Sequence, residues 1–157
     1  MKPDDDFRVD YCKGMVAADV VCQWLVSMGL NVVKLDQSLT PDYRSRWSHT
    51  DEGDLKIIHE GNEGRIEVKH RPDMNFKSKE EFAYPDIIVD EKYKADGDHE
   101  LPLYSYVIAN KTLTHCMIIP ENTRKQWKVR NIYDRKSRRY GDFYFCHLDY
   151  VMFREIK

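Results

Sequence analysis

The chain has 157 residues and a formal net charge of −2, with 41% hydrophobic, 33% charged and 12% aromatic residues. That length suits one domain with a real hydrophobic core, and the aromatic content argues against a disordered chain. No apolar run reaches the length of a membrane-spanning helix, and Cys12, Cys22, Cys116 and Cys146 form no CxxC pair, which argues against a zinc site and for reduced thiols.

The N-terminal stretch MKPDDDF is acidic and lacks an apolar segment, so the expected location is cytoplasmic. Residues 11–28 have the clearest helical pattern: Met15, Ala18, Cys22 and Leu25 recur at spacings of three and four, flanked by Val16, Val20 and Trp24. Asp10 suits the cap of this helix, and Gly29 suits the residue past its end. Residues 31–35 (NVVKL) read as a strand, and 40–47 (TPDYRSRW) as a short helix with Pro41 at its first position.

Residues 51–70 (DEGDLKIIHEGNEGRIEVKH) read as a hairpin turning at EGNE. Alternation sets Leu55, Ile57, Ile66 and Val68 on one face and Asp54, Lys56, Glu67 and Lys69 on the other. Pairing Ile57 with Ile66 and Leu55 with Val68 puts Asp54 opposite Lys69 and diagonal to Glu67. Burying the aliphatic face therefore gathers two carboxylates and an ammonium.

Ser78-Lys79-Glu80-Glu81 has the form of a capping box, predicting a short helix that Pro85 ends. Residues 86–90 (DIIVD) read as a strand, 94–102 (KADGDHELP) as a surface loop, and 103–120 as two strands meeting at Asn110-Lys111. Residues 124–139 (RKQWKVRNIYDRKSRR) hold eight basic residues against one acid, so the rest of the chain is net acidic. Arg124, Lys125, Lys128, Arg130, Arg135, Lys136, Arg138 and Arg139 are thus candidates for gripping a nucleic-acid backbone, with a solvated polar face as the plainer reading. Trp127 is expected in the core, whereas Tyr133 and Tyr140 are open to either role. The tail 142–156 (DFYFCHLDYVMFREI) reads as a last strand, with or without a bend. The expected architecture is one α/β domain, an N-terminal helix packed on a mixed central β-sheet.

Two carboxylates at one spot repel unless a proton or cation intervenes. Mg²⁺ or Mn²⁺ suits two oxygen ligands and leaves positions for water and a substrate phosphate. Such an ion acidifies a bound water and polarises a phosphoryl oxygen, and Lys69 beside it can orient that water or offset phosphate charge. These parts suit phosphodiester hydrolysis. The plainer alternative is a surface salt bridge between Lys69 and Asp54.

Asp54 and Glu67-Val68-Lys69 resemble the motif of the PD-(D/E)XK nuclease superfamily, with Gly53 where the family name has proline. The order helix, strand, hairpin, helix, strand over residues 10–119 resembles its restriction-endonuclease-like fold. The stretch FAYPDIIVDEKYK and the segment around Trp127 resemble small phage-type members. The resemblance implies a single nuclease-like domain over 1–157, with a core of about 10–119 and a basic extension over 120–157. It implies Mg²⁺ held by Asp54, Glu67 and the Val68 carbonyl, DNA as substrate, and an assembly that includes homodimers. An acid from the first helix is common in the family, and Asp19 is the candidate here, with an exposed helix acid as the equal alternative. Pro85 leaves the second helix shorter than the family's. Arg71 returns to the Glu67 face, where it touches substrate phosphate or pairs with an acid. The leading expectation is a metal-dependent DNA endonuclease. Behind it stand a nucleic-acid-binding module with a vestigial site and a protein-interaction or inhibitor module.

Overall fold

The computed structural model describes residues 16–35 and 55–157. Residues 16–27 form helix α1, followed by β1 (Asn31–Lys34), β2 (Leu55–His59), β3 (Asn62–His70) and β4 (Asp86–Glu91). Then come a single helical turn, α2 (Lys92–Ala95), β5 (Leu103–Ala109), β6 (His115–Pro120), β7 (Lys128–Asp134), β8 (Arg139–His147) and β9 (Met152–Glu155). The strands make two sheets. Six strands run in the order β1-β2-β3-β5-β6-β9, and three in the order β4-β8-β7. All pairings are antiparallel except β3 with β5, so the larger sheet is mixed.

Three layers result, because each face of the six-stranded sheet is apolar and must be covered. On one face α1 buries Ala17, Ala18, Val21, Trp24 and Leu25 against Leu55, Ile57, Ile66 and Val68. On the other, Tyr106, Ile108, Met117 and Ile119 meet Ile87, Val89, Cys146 and Leu148 of the three-stranded side, with Phe76 and Trp127. The helix ends as its sequence predicts. Gly29 takes φ 87°, its N–H bonds the Val26 carbonyl at 2.9 Å, and the Leu30 N–H bonds the Leu25 carbonyl at 3.2 Å. Trp127 lies in the core, its indole N–H on Thr123 Oγ1 at 3.0 Å. Cys22, Cys116 and Cys146 are free thiols, and no described helix is long and apolar enough to cross a membrane.

Several expectations change. The hairpin turns at Glu60-Gly61, not across EGNE: both residues have positive φ, 52° and 80°, and His59 pairs with Asn62. This two-residue turn has the twist that suits paired strands. Leu55 therefore faces Ile66 and Ile57 faces Gly64, two residues from the expected register. A shift of two leaves every side chain on its expected face. No helix follows Ser78: Glu81 N–H bonds Ser78 Oγ at 3.3 Å and Phe82 N–H bonds the Lys79 carbonyl at 3.2 Å, but the chain stops at that turn. Phe82 turns in against Phe76, and Pro85 blocks another turn before β4 begins. The predicted last strand is two strands, β8 and β9, in different sheets, joined by a 3₁₀ turn at Leu148–Tyr150. The basic run contains a strand, β7, at the edge of the smaller sheet. The expected helix at 40–47 lies outside the described residues.

Asn110 ties the strand ends together. It is fully buried, donates to the Phe76 carbonyl at 2.9 Å, and accepts from the Thr114 and His115 N–H groups at 3.0 and 3.2 Å.

The turn fixes the register of β3 and so the place of its charged side chains. A Cβ at Gly61 meets nothing within 4 Å, which leaves backbone strain as the whole effect. Gly61→Ala is expected to cost about 1–2 kcal/mol in urea unfolding, and Glu60→Asn to gain a few tenths of a kcal/mol by relieving φ at the first turn position. Equal stability of both variants with the parent contradicts the turn assignment.

Candidate active site between the two sheets

Alternation along β3 sends Ile66 and Val68 to the α1 face and Arg65, Glu67 and Lys69 to the face covered by the three-stranded sheet. Arg65 is 4% exposed and Glu67 8%, so their charges cannot be left to water. Arg65 donates Nε to Glu67 Oε2 at 3.3 Å and Nη1 to the Leu101 carbonyl at 2.9 Å. One end of the row is thereby locked to the chain entering β5.

Lys69 is held from the second sheet. Its Nζ donates to Asp90 Oδ1 at 2.9 Å and lies 5.8 Å from the centre of the Tyr106 ring. Asp90 is 7% exposed and has both oxygens engaged. Oδ1 also accepts the Glu91 N–H at 2.9 Å, and Oδ2 accepts the Tyr106 hydroxyl at 2.8 Å. Burial pushes the Asp90 carboxyl up, but the Lys69 charge and the hydrogen bonds from Lys69 and Tyr106 outweigh it. Asp90 therefore titrates below the ordinary carboxylate range. Tyr106 moves the other way: burial, then the nearby Asp90 and Glu67 charges, disfavour its phenolate. It stays a hydroxyl donor.

Arg71 continues the row. Burial lowers its pKa, partly offset by Asp73 and Asp90, and its Nε is buried with no hydrogen-bond partner among the described residues. The group thus sets the cations Arg65, Lys69 and Arg71 beside the carboxylates Glu67 and Asp90, with Asp73 near Arg71 and Lys94 near Asp90. An open cavity of about 290 Å³ adjoins Arg65, with His99, Glu121 and Arg124 on its walls.

Of the residues singled out in the sequence, the structure brings Glu67, Lys69 and Arg71 to one face. Asp54 lies outside the described residues. Its neighbour Leu55 pairs with Ile66, the residue before Glu67. Val68 is buried on the α1 side and faces Val107. Asp19 does not join the group: its carboxylate pairs with Lys34 on the helix side, across the sheet from Glu67 and Lys69. Among the described residues Lys69 pairs with Asp90, an acid the sequence reading did not single out. Sequence reasoning missed Asp90, Tyr106 and Arg65, although an acid ending the buried run IIVD was a usable signal. Among the described residues no three His, Cys, Asp or Glu side chains gather as metal ligands. The described donors therefore do not by themselves complete a divalent-ion site.

The basic run divides. Arg124 bonds Glu121 Oε1 at 2.8 Å, Asp96 Oδ1 at 3.2 Å and the Ala95 carbonyl at 3.3 Å, and lies over Trp127. Arg130 bonds Asp86 Oδ2 at 2.6 Å and covers Phe145. Both have carboxylate partners within the protein. Lys125, Lys128, Arg135, Lys136, Arg138 and Arg139 are exposed.

No protein-family model and no curated protein matches the chain. Among solved structures it is similar to that of a bacterial homing endonuclease, I-Ssp6803I, at 17% identity and a TM-score of 0.45, covering 87% of this chain and 72% of that one. At this distance the likeness assigns no residue a role.

Because the Asp90 pKa is lower in the folded chain than in the unfolded one, the stability it confers is full at neutral pH and is lost as pH falls below about 4. Asp90→Asn is expected to cost about 3 kcal/mol at neutral pH by stranding Lys69. The gap between parent and variant should close on acidification. A gap that stays constant from neutral to strongly acid pH contradicts the pairing.

Proposed function

We propose that the protein is a metal-dependent nuclease that hydrolyses phosphodiester bonds in DNA. The observation that carries this reading is the emergence of Glu67 and Lys69 on one face of β3, each fixed by its own buried partner, Arg65 and Asp90. An acid and a base two residues apart on one strand suit a metal ligand beside a group that meets the reacting phosphate. In this reading Asp54 supplies the second carboxylate and the Val68 carbonyl a third oxygen, following the PD-(D/E)XK pattern. The ion, Mg²⁺ or Mn²⁺, contributes Lewis acidity at the phosphoryl oxygen and a more acidic water.

The protein's own groups then divide the remaining work. Lys69 places positive charge where the attacked phosphate gains negative charge, and Asp90 with Tyr106 keeps its side chain from swinging away. Asp90 and Tyr106 are positioning residues. Arg71, on the same face as Glu67 and Lys69, supplies positive charge to a phosphate oxygen. Arg65 aims the Glu67 carboxylate.

One observation favours a second reading, a nucleic-acid-binding module without catalysis. Glu67 and Lys69 each already have a partner of opposite charge inside the protein, which is also how an inert ion-pair network looks.

Supercoiled plasmid with Mg²⁺ separates the two. The nuclease reading predicts nicked or linear product that disappears with chelator, and a loss of about 10²-fold or more in Lys69→Ala and Glu67→Gln. Both variants should remain folded by circular dichroism. Undiminished hydrolysis by Lys69→Ala removes it from the mechanism, and salt-sensitive DNA binding with no metal-dependent product favours the binding module.

A further inference from the structure

The smaller sheet is not the same width along its length. β4 pairs with β8 only over Phe143–His147, whereas β7 pairs with β8 from Phe145 out to Arg139. The part of the hairpin from Asn131 to Asp142 therefore projects past the sheet as a ribbon of two strands. Its tip is an ordered turn. Asp134 Oδ1 accepts the Lys136 N–H at 3.0 Å, the Arg138 N–H bonds the Asp134 carbonyl at 2.8 Å, and Arg138 takes φ 57°. Arg135, Lys136, Arg138 and Arg139, all exposed, crowd this tip.

The ribbon also has a distinct side. Tyr133 and Tyr140 are opposite one another in register, 52% and 69% exposed, with ring centres 5.4 Å apart at 67°. Asn131 donates to Asp142 across the same side at 3.0 Å. Alternation along β8 puts Tyr140, Asp142 and Tyr144 on one face. Tyr144 is the register partner of Asp90, whose carboxylate holds Lys69. The tyrosine side of the ribbon thus continues the face that carries the candidate active site, about 13 Å further along the strand from Tyr144 to Tyr140.

We propose that this ribbon enters the major groove of duplex DNA, with Tyr133 and Tyr140 against base edges and the tip cations on the flanking phosphates. The inference rests on the reading of the protein as one that acts on DNA. Charge gives the class of partner: a tip of four cations on a chain of net charge −2 attracts a polyanion to that one place. Shape gives its form. The B-form major groove admits a two-stranded β-ribbon, while the A-form groove of RNA is too deep and narrow for one. The two tyrosines pack edge to face on each other, so their rings are not splayed as a platform for unpaired bases.

The test uses the full chain, Ca²⁺ in place of Mg²⁺ for binding, and two duplexes of one sequence. In one of them every cytosine carries a glucosylated hydroxymethyl group that fills the major groove and leaves the backbone and minor groove unchanged. The parent protein is expected to bind the filled duplex about 10-fold or more weakly. Tyr133→Ser/Tyr140→Ser is expected to bind both duplexes alike with its melting temperature unchanged. Arg135→Ala/Arg138→Ala/Arg139→Ala is expected to flatten the salt dependence by about 0.9 for each phosphate that is no longer neutralised. Equal parent binding to both duplexes overturns the ribbon assignment, and Mg²⁺-dependent cleavage of the unmodified duplex in that case leaves the nuclease reading standing. Neither binding nor cleavage of any DNA overturns both.

Discussion

A strand whose side chains alternate must commit every second residue to one face, and in β3 one of those faces lies between two sheets. Ile66 and Val68 satisfy the helix side. Arg65, Glu67 and Lys69 are then driven into a layer where charge is tolerated only with a partner. Arg65 answers Glu67 within the strand, and Asp90 answers Lys69 from the second sheet. The Lys69–Asp90 pair thus links the two sheets, and Tyr106, rising from the floor of the larger sheet to the same carboxylate, makes the link three-way. Among the described residues Asp90 is the inter-sheet acceptor of the Lys69 ammonium, and it fixes the outer end of the row on β3.

This arrangement gives the second sheet two tasks. Its β4 edge supplies Asp90 to the site, and its β7–β8 hairpin runs on past the core as a basic ribbon on the same face. The tyrosine pair and the site are consequently parts of one continuous surface. The smaller sheet is anchored by Ile87, Val89, Cys146 and Leu148 against Tyr106, Ile108, Met117 and Ile119. Packing that positions Asp90 therefore also sets the direction in which the ribbon leaves.

The faces of the hairpin were legible in the sequence because aliphatic alternation in LKII and RIEV decides burial whichever register is chosen. The register itself was not. Glu60-Gly61-Asn62-Glu63 holds several turn-forming residues, and only the positive φ of Glu60, an uncommon choice, reveals a two-residue turn. The described partner of Lys69 lies 21 residues further along the chain. Asp90 ends an aliphatic run that reads as core, and nothing local couples it to β3. β7 was hidden for a different reason: as an edge strand with exposed residues on both sides, it lacks the alternation that marks a half-buried strand. The helix expected after Ser78 failed because its cap residue formed one hydrogen bond, while the packing of Phe82 on Phe76 and the approach of Pro85 decided the path. The basic run was visible as composition, but composition could not tell Arg124 and Arg130, which bond carboxylates within the protein, from the cations at the ribbon tip.

The proposed metal-dependent hydrolysis requires Glu67 to be a metal ligand rather than only the partner of Arg65. Titration of the folded protein with Mn²⁺, followed by electron paramagnetic resonance of the free ion, addresses this without any nucleic acid. The expected result is a saturable Mn²⁺ site that disappears in Glu67→Gln and in Asp54→Asn and is retained in Asp90→Asn. Mn²⁺ uptake that is the same in the parent and in Glu67→Gln contradicts it.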